Sequence, residues 1–318
     1  MIHPEADVAV IVPTLRRPES LERALLSLFT QRGVADRLRE IVVVDNDPAG
    51  SARDGVVALA SASPVSLIYR HAPRPGVATA RNAGLAATAA PLIAFLDDDE
   101  AASPGWLAAL LASHASTGAA VTFAPIRGRV PEGTGWATAY LERFFGRQGP
   151  AEDGLIDHPF GCGASLMTRA VALPGATPFD VASDHTGGED DALFSALAER
   201  GGRFGWAAEA WTDEFAPPHR AILGYALTRA FAYGQGPTQT AARHRQWLGV
   251  VRWMIVGGLQ AAVFGVAALG LTLAASPRRA DMLDRAARGL GKLFWMKGFE
   301  PVFYGSGEVA RLDKLAKA

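Results

Sequence analysis

The sequence predicts an α/β domain built on a mostly parallel central sheet, followed by a helical, membrane-associated C-terminal segment. Three observations lead there. Short β-branched runs alternate with longer amphipathic ones from residue 8 to about residue 124, the pattern of successive βα units. Acids and arginines gather at the ends of those runs, where open parallel sheets bind their ligands. Trp253 to Ala275 holds 23 residues without a charge, enough to cross the roughly 30 Å hydrocarbon core of a bilayer.

Val8 to Val12 opens the sheet as a buried strand. Leu21, Ala24, Leu25, Leu28 and Phe29 follow Pro18-Glu19-Ser20 at a spacing that lays one apolar stripe on a helix, which stops at Gly33. Ile41 to Val44 is the second strand, ended by the turn-forming Asp45-Asn46-Asp47-Pro48, and Val65 to Tyr69 the third. Residues 76 to 89 read as a loop entering an Ala-rich helix, and Leu92 to Leu96 as a strand ending in Asp97-Asp98-Asp99-Glu100. A helix from Pro104 to about His114 and a strand from Ala120 to Ala124 complete the alternation. Residues 125 to 180, rich in Gly and Pro, are expected to form loops and short strands over the ligand edge. A helix from about Glu189 to Arg200, closed by Gly201-Gly202, leads to a strand at Arg203 to Trp206. The expected domains are residues 1–220 and 221–318.

Composition narrows the function. With 318 residues, 49% of them hydrophobic, the chain can bury a sizeable core. Lys and Arg number 31 against 32 for Asp and Glu, so the formal net charge of -1 offers no field for nucleic acid, and none is expected as a partner. An anionic ligand therefore needs a local site. Cys162, the only cysteine, can form no internal disulfide. The seven histidines show no paired ligand spacing, so zinc is not expected. Glu5 and Asp7, before a five-residue apolar run, do not suit a secretory signal.

Three successive aspartates after an apolar strand repel one another strongly in a cleft of low dielectric. A divalent cation relieves that repulsion, and oxygen ligands favour Mg2+ or Mn2+, which keep positions open for phosphate oxygens. An Asp-rich turn and helix cap is the plainer alternative. A second acidic group, Glu189-Asp190-Asp191, follows Thr186-Gly187-Gly188 at a helix start. The helix dipole alone favours acids there. A carboxylate in that position can also take a proton from an attacking hydroxyl; Asp190 is the candidate base, and Glu189 is expected to orient an acceptor or a backbone amide.

Taken together, VAVIVPTLRRPESLERALLSL, EIVVVDNDPAGSA, PRPGVATARNAGL, IAFLDDDE, PFGCGASL and TGGEDDALFSAL resemble the family 2 inverting glycosyltransferases over roughly residues 7 to 220. The wording is similar in particular to bacterial exopolysaccharide glucosyltransferases of the succinoglycan type. The resemblance implies the nucleotide-sugar-binding fold called GT-A and a donor that is a nucleotide diphosphate sugar, with UDP favoured. It implies that Pro13, Thr14 and Arg16 line the nucleotide pocket, that Asp45 recognises the base, and that Arg81 and Asn82 touch the nucleotide or its phosphates. The metal ligand of the family falls on Asp99, with Asp97 and Asp98 on the ribose or the ion, and the catalytic base on Asp190. Gly161 and Gly163 either fall where the donor sugar comes close or form a bulge. Trp206 and Trp211 either stack on an acceptor sugar or belong to the core, and His219-Arg220 either binds phosphate or forms an exposed turn. Processive synthases of the wider family carry Gln-x-x-Arg-Trp; here Gly249 stands three positions before Arg252-Trp253, so transfer of a single sugar is expected.

Two alternatives remain at this stage. A sugar nucleotidyltransferase would open with a Gly-rich loop where this chain has Pro13-Thr14-Leu15-Arg16-Arg17. A non-catalytic sugar-nucleotide-binding or scaffold subunit has no need of both acidic groups. For the apolar run there are three readings: a span, a hairpin broken at Gly257-Gly258, or a helix buried against the catalytic domain. Arg243, Arg245, Arg252, Arg278 and Arg279 flank it, and the tail after it alternates apolar and basic residues as interfacial helices do. The expected location is the cytoplasmic face of the inner membrane, with a glycan or lipid-linked acceptor.

Overall fold

The structure, a computed structural model, describes residues 7–185 and 187–303. The start of the chain, expected to lack a secretory signal, and Thr186 of the TGGEDD run lie outside the described residues. In chain order come β1 (Val8–Thr14), α1 (Pro18–Phe29), β2 (Leu38–Asp45), α2 (Arg53–Leu59), β3 (Ser66–His71), α3 (Val77–Ala86) and β4 (Leu92–Phe95). Then follow β5 (Glu100–Ala102), α4 (Trp106–Thr117), β6 (Val121–Phe123), β7 (Ile126–Arg129), α5 (Thr138–Phe145), β8 (Gly154–Ile156), β9 (Ser165–Thr168) and α6 (Arg169–Ala172). The rest is α7 (Glu189–Glu199), β10 (Phe204–Trp206), β11 (Thr212–Phe215), α8 (Leu223–Arg243), α9 (Trp247–Leu273) and α10 (Arg279–Leu293).

The chain divides into two compact units. The first comprises the described residues up to Arg127, Gly146–Phe215 and the described residues from Val302; the second comprises Gly128–Phe145 and Ala216–Pro301. The sequence places the boundary after residue 220 and leaves residues 128–145 with the first domain. Here α5 belongs to the second unit because its apolar face, Tyr140 and Leu141, is buried in one cluster with Ala226 and Ala280.

In the first unit an eight-stranded sheet runs β3-β2-β1-β4-β9-β6-β10-β8. The pairings β3-β2, β2-β1, β1-β4 and β6-β10 are parallel; β9 runs antiparallel between β4 and β6, and β8 antiparallel to β10. β1 is apolar at every residue from Val8 to Val12 because helices cover both its faces. Val8, Val10 and Val12 enter one core while Ala9 and Ile11 enter the other, the period of two that a pleated strand imposes. α1 buries Leu21, Ala24, Leu25 and Leu28, with Pro18 supplying a first turn that needs no amide. α4 starts at Trp106 rather than Pro104 and runs past His114 to Gly118, whose left-handed φ of 60° ends it.

Among the loops and short strands expected after residue 124 is β9, whose position and partners the sequence pattern does not announce. Ser165 pairs with Phe95 across the β9-β4 ladder, so the turn before β9 lies beside the acids that follow β4. Glu100 and Glu214 pair in turn on β5 and β11 of a small second sheet.

In the second unit α9 is one unbroken helix through Gly257 and Gly258, which removes the hairpin reading. It begins at Trp247 and ends at Leu273, so the apolar run of residues 253–275 is offset toward its C-terminal end. Its mean hydropathy reaches 2.0, and 11% of its most apolar stretch is buried. Leu248, Leu259, Val263, Val266, Leu269 and Leu273 are exposed. α10 packs against both α8 and α9 through glycines. A Cβ on Gly291 would lie 2.0 Å from the Phe231 carbonyl oxygen, and one on Gly289 2.6 Å from the Ala261 amide nitrogen.

Candidate active site

β1 and β4 are neighbours, so the residues that leave their carboxyl ends meet. Thr14 Oγ1 donates to Asp98 Oδ2 at 2.8 Å. Arg17 Nη1 donates to Asp98 Oδ1 at 2.7 Å and to Asp99 Oδ2 at 2.8 Å. Pro13 is half-buried just before them. Arg16, at a φ of 55°, donates instead to Asp47 Oδ1 at 2.9 Å. Desolvation pushes Asp97 and Asp98 above the ordinary carboxylate range; Arg81 opposes it at Asp97 and Arg17 at Asp98, while the neighbouring aspartates add to it. Glu100 is raised further by its own burial and by Asp97 and Glu214.

The ends of β2 and α3 are tied more tightly to the protein itself. Asp45, fully buried, accepts from the Ala52 amide at 2.8 Å, from the Asp47 amide at 3.1 Å and from Tyr69 Oη at 2.9 Å. Asn82 donates to the Phe179 carbonyl at 2.7 Å and accepts from the Phe179 amide at 3.1 Å. Both side chains therefore already brace loops at the sheet edge. Arg81, buried beside Phe95 and Phe179, pairs with Glu189 and lies 3.7 Å from Asp97 Oδ1. It thus links the strand-end acids to the acids that open α7. Glu189 spends its charge on that pair, so orientation of Arg81 is the task its geometry supports.

Gly187 and Gly188, at φ of 78° and 86°, turn the chain into α7. Asp190 Oδ2 accepts from the Cys162 amide at 3.1 Å. One residue on, a Cβ at Gly163 would stand 2.5 Å from Asp97 Oδ2, so with glycine there the loop approaches that carboxylate without displacing it. The loop before β9 thus touches Asp190 with one residue and Asp97 with the next. Trp206 is buried in the core, its Nε1 donating to the Pro150 carbonyl at 2.8 Å, whereas Trp211 is half-buried under the Arg127 guanidinium.

Among the described residues no three acidic, histidine or cysteine side chains converge as a ready cation cage. Mg2+ held through one or two carboxylates and its substrate's phosphate oxygens needs no such cage. Asp97, 40% exposed, and Asp99, which accepts from Arg17, offer the oxygen ligands that such a mode uses. Arg17 and Glu100 belong to the strand-end segments where acids and arginines gather, without a role of their own in the resemblance; Arg147, in a stretch without periodicity, escapes sequence reasoning.

A doubly covered α/β sheet with its ligand edge at the strand carboxyl ends, an acid run after β4 and a second acid group at α7 is the architecture of a GT-A glycosyltransferase. The chain belongs to Glycosyl transferase family 2, whose profile matches residues 9–173. It is 32% identical over 94% of its length to the succinoglycan biosynthesis protein ExoM of Rhizobium meliloti (strain 1021), of which it covers 96%. It is 30% identical over 75% of its length to the pre-mycofactocin glycosyltransferase of Mycobacterium tuberculosis, of which it covers 48%. A solved structure of S. aureus TarS in complex with UDP-GlcNAc aligns with 66% of the chain and 59% of its own at 17% identity and a TM-score of 0.49.

Proposed function

We propose that this glycosyltransferase moves a single sugar, with inversion, from a UDP-linked donor to a hydroxyl of a lipid-linked glycan in bacterial exopolysaccharide synthesis. The observation that carries the reading is the pairing of Asp190 and Asp97 across one short loop, a proton acceptor and a diphosphate-side acid on adjacent residues' contacts. Likeness to a succinoglycan biosynthesis protein along nearly the whole chain supports the polysaccharide setting. The apolar length of α9 supports catalysis at the inner membrane, and a nucleotide sugar donor requires its cytoplasmic face.

In this mechanism Asp190 accepts the proton of the acceptor hydroxyl as its oxygen bonds to the anomeric carbon, and the bond to the diphosphate breaks on the opposite face. The leaving oxygen keeps the electron pair. Asp97 and Asp99 would hold Mg2+ or Mn2+, which when bound would supply Lewis-acid stabilisation of that charge. Thr14 and Arg17 hold Asp98 and Asp99 in place, and Arg81, aligned by Glu189, brings a fixed positive charge to the same edge. Asp45 and Asn82 shape the nucleotide pocket through the loops they brace.

A panel of nucleotide sugars, assayed for release of nucleoside diphosphate with and without Mn2+, tests the reading. Turnover of a UDP-sugar that needs the ion and fails in Asp99→Ala is expected. Ion-independent turnover removes the cation from the mechanism, and a retained anomeric configuration by NMR removes the single displacement. Polymeric product from the purified enzyme contradicts transfer of one sugar.

A further inference from the structure

Arg147 sits behind the loop that joins the two acidic groups. Its Nη1 donates to the Gly163 carbonyl at 2.9 Å and its Nη2 to the Gly161 carbonyl at 2.9 Å, one on each side of Cys162. Nη1 also reaches the Ala124 carbonyl at 3.3 Å. The anchor itself is fixed. Its backbone exchanges hydrogen bonds with Ile126 at 2.8 and 3.0 Å, and its guanidinium packs 5.5 Å from the Phe160 ring centre and 5.9 Å from that of Phe123. The loop it holds is under local strain, since Ala164 adopts a φ of 47° that a residue with a Cβ resists. Strain persists only where surrounding contacts over-determine it, and the Arg147 fork is such a contact.

What the loop carries explains why its position matters. The Cys162 amide donates to Asp190, and Gly163 lies against Asp97, so a shift of this segment changes the spacing of the two carboxylates directly. We propose that Arg147 is a positioning residue of the transfer reaction: by gripping the carbonyls on both sides of the Cys162 amide, it sets the separation between the proton acceptor Asp190 and the diphosphate-side Asp97. The proposal rests on the reading of Asp190 as base. A planar guanidinium spans two carbonyls from two nitrogens at once; a lysine ammonium of the same charge presents a single point and cannot.

Arg147→Lys keeps the charge and removes the fork, and Arg147→Gln serves if that protein folds poorly. Two measurements on the full chain decide. Hydrogen exchange at the amides of residues 161–164 is expected to quicken about tenfold while β1 and β2 keep their protection. For a UDP-sugar turned over by the wild type, kcat is expected to fall about 100-fold with donor KM within about threefold, as a displacement near 1 Å in a reacting group produces. Unchanged exchange overturns the proposal without reference to activity, and so does unchanged kcat. A common loss of kcat, donor affinity and thermal midpoint also overturns it, since that pattern marks a residue that only stabilises the fold. Asp190→Asn in the same assay keeps the two ideas apart: if it turns over like wild type, the base assignment fails, and the exchange result still judges Arg147.

Discussion

His114 shows what burial does to one titratable residue. It is enclosed in α4, with Nδ1 on Thr122 Oγ1 and Nε2 on Thr168 Oγ1, each at 2.8 Å. Desolvation lowers its pKa from 6.5 to about 4, so the folded protein holds it neutral where the unfolded chain would take a proton. Its contribution is complete above pH 6.5 and is lost as pH falls toward 4, up to about 3 kcal/mol. The thermal midpoint of wild type should therefore drop across that window more steeply than that of His114→Gln; parallel pH curves would contradict the assignment. At the site, Asp190→Asn removes the proton acceptor while keeping a group for the Cys162 amide, and kcat should fall about 1,000-fold with little change in thermal midpoint. Gly163→Ala acts differently. The added methyl meets the far end of Asp97, which can swing aside, so the fold survives while Mn2+ affinity, read by paramagnetic resonance, drops about 10- to 100-fold. These roles differ in how far they could be read from sequence. Asp97 and Asp99 follow an apolar run and Asp190 follows the Gly187-Gly188 turn at a helix start, whereas Asp45 and Asn82 have both polar ends already committed to partners within the protein.

At the scale of elements, the parallel part of the sheet was legible because a strand covered on both faces leaves a continuous apolar run, as from Val8 to Val12 and from Ile41 to Val44. β9 was not. Ser165 to Thr168 is a short strand that matters only for the neighbours it finds, β4 and β6, and no local periodicity encodes those partners. In the helical unit the packing of α10 depends on missing side chains rather than on apolar ones. Gly291→Ala drives a methyl into the Phe231 carbonyl, a backbone atom that cannot step aside, and should cost about 1–3 kcal/mol by thermal or denaturant unfolding. Gly265→Ala on α9 meets nothing within 4 Å and should be neutral or slightly stabilising, as alanine favours a helix. Equal losses at the two positions would remove the close-packing explanation.

For the whole molecule, α9 is by length and composition apolar enough to cross a bilayer, and the proposed membrane setting rests on it. Replacing Leu259 and Val266 together by Lys should shift the protein from the membrane fraction to the soluble fraction after lysis without detergent; wild-type protein found soluble would end the membrane reading. From sequence alone came the α/β class, the order of acids and arginines along the ligand edge, the apolar helix and the resemblance that named the family. Each of these is a local pattern, fixed by period, spacing or residue type over a few positions. Tertiary structure alone decided that residues 128–145 join the helical unit, that Glu189 serves Arg81, and that Arg147 grips the loop between Asp97 and Asp190. Those outcomes depend on contacts between residues far apart in the chain, which only the packed fold brings within reach of one another.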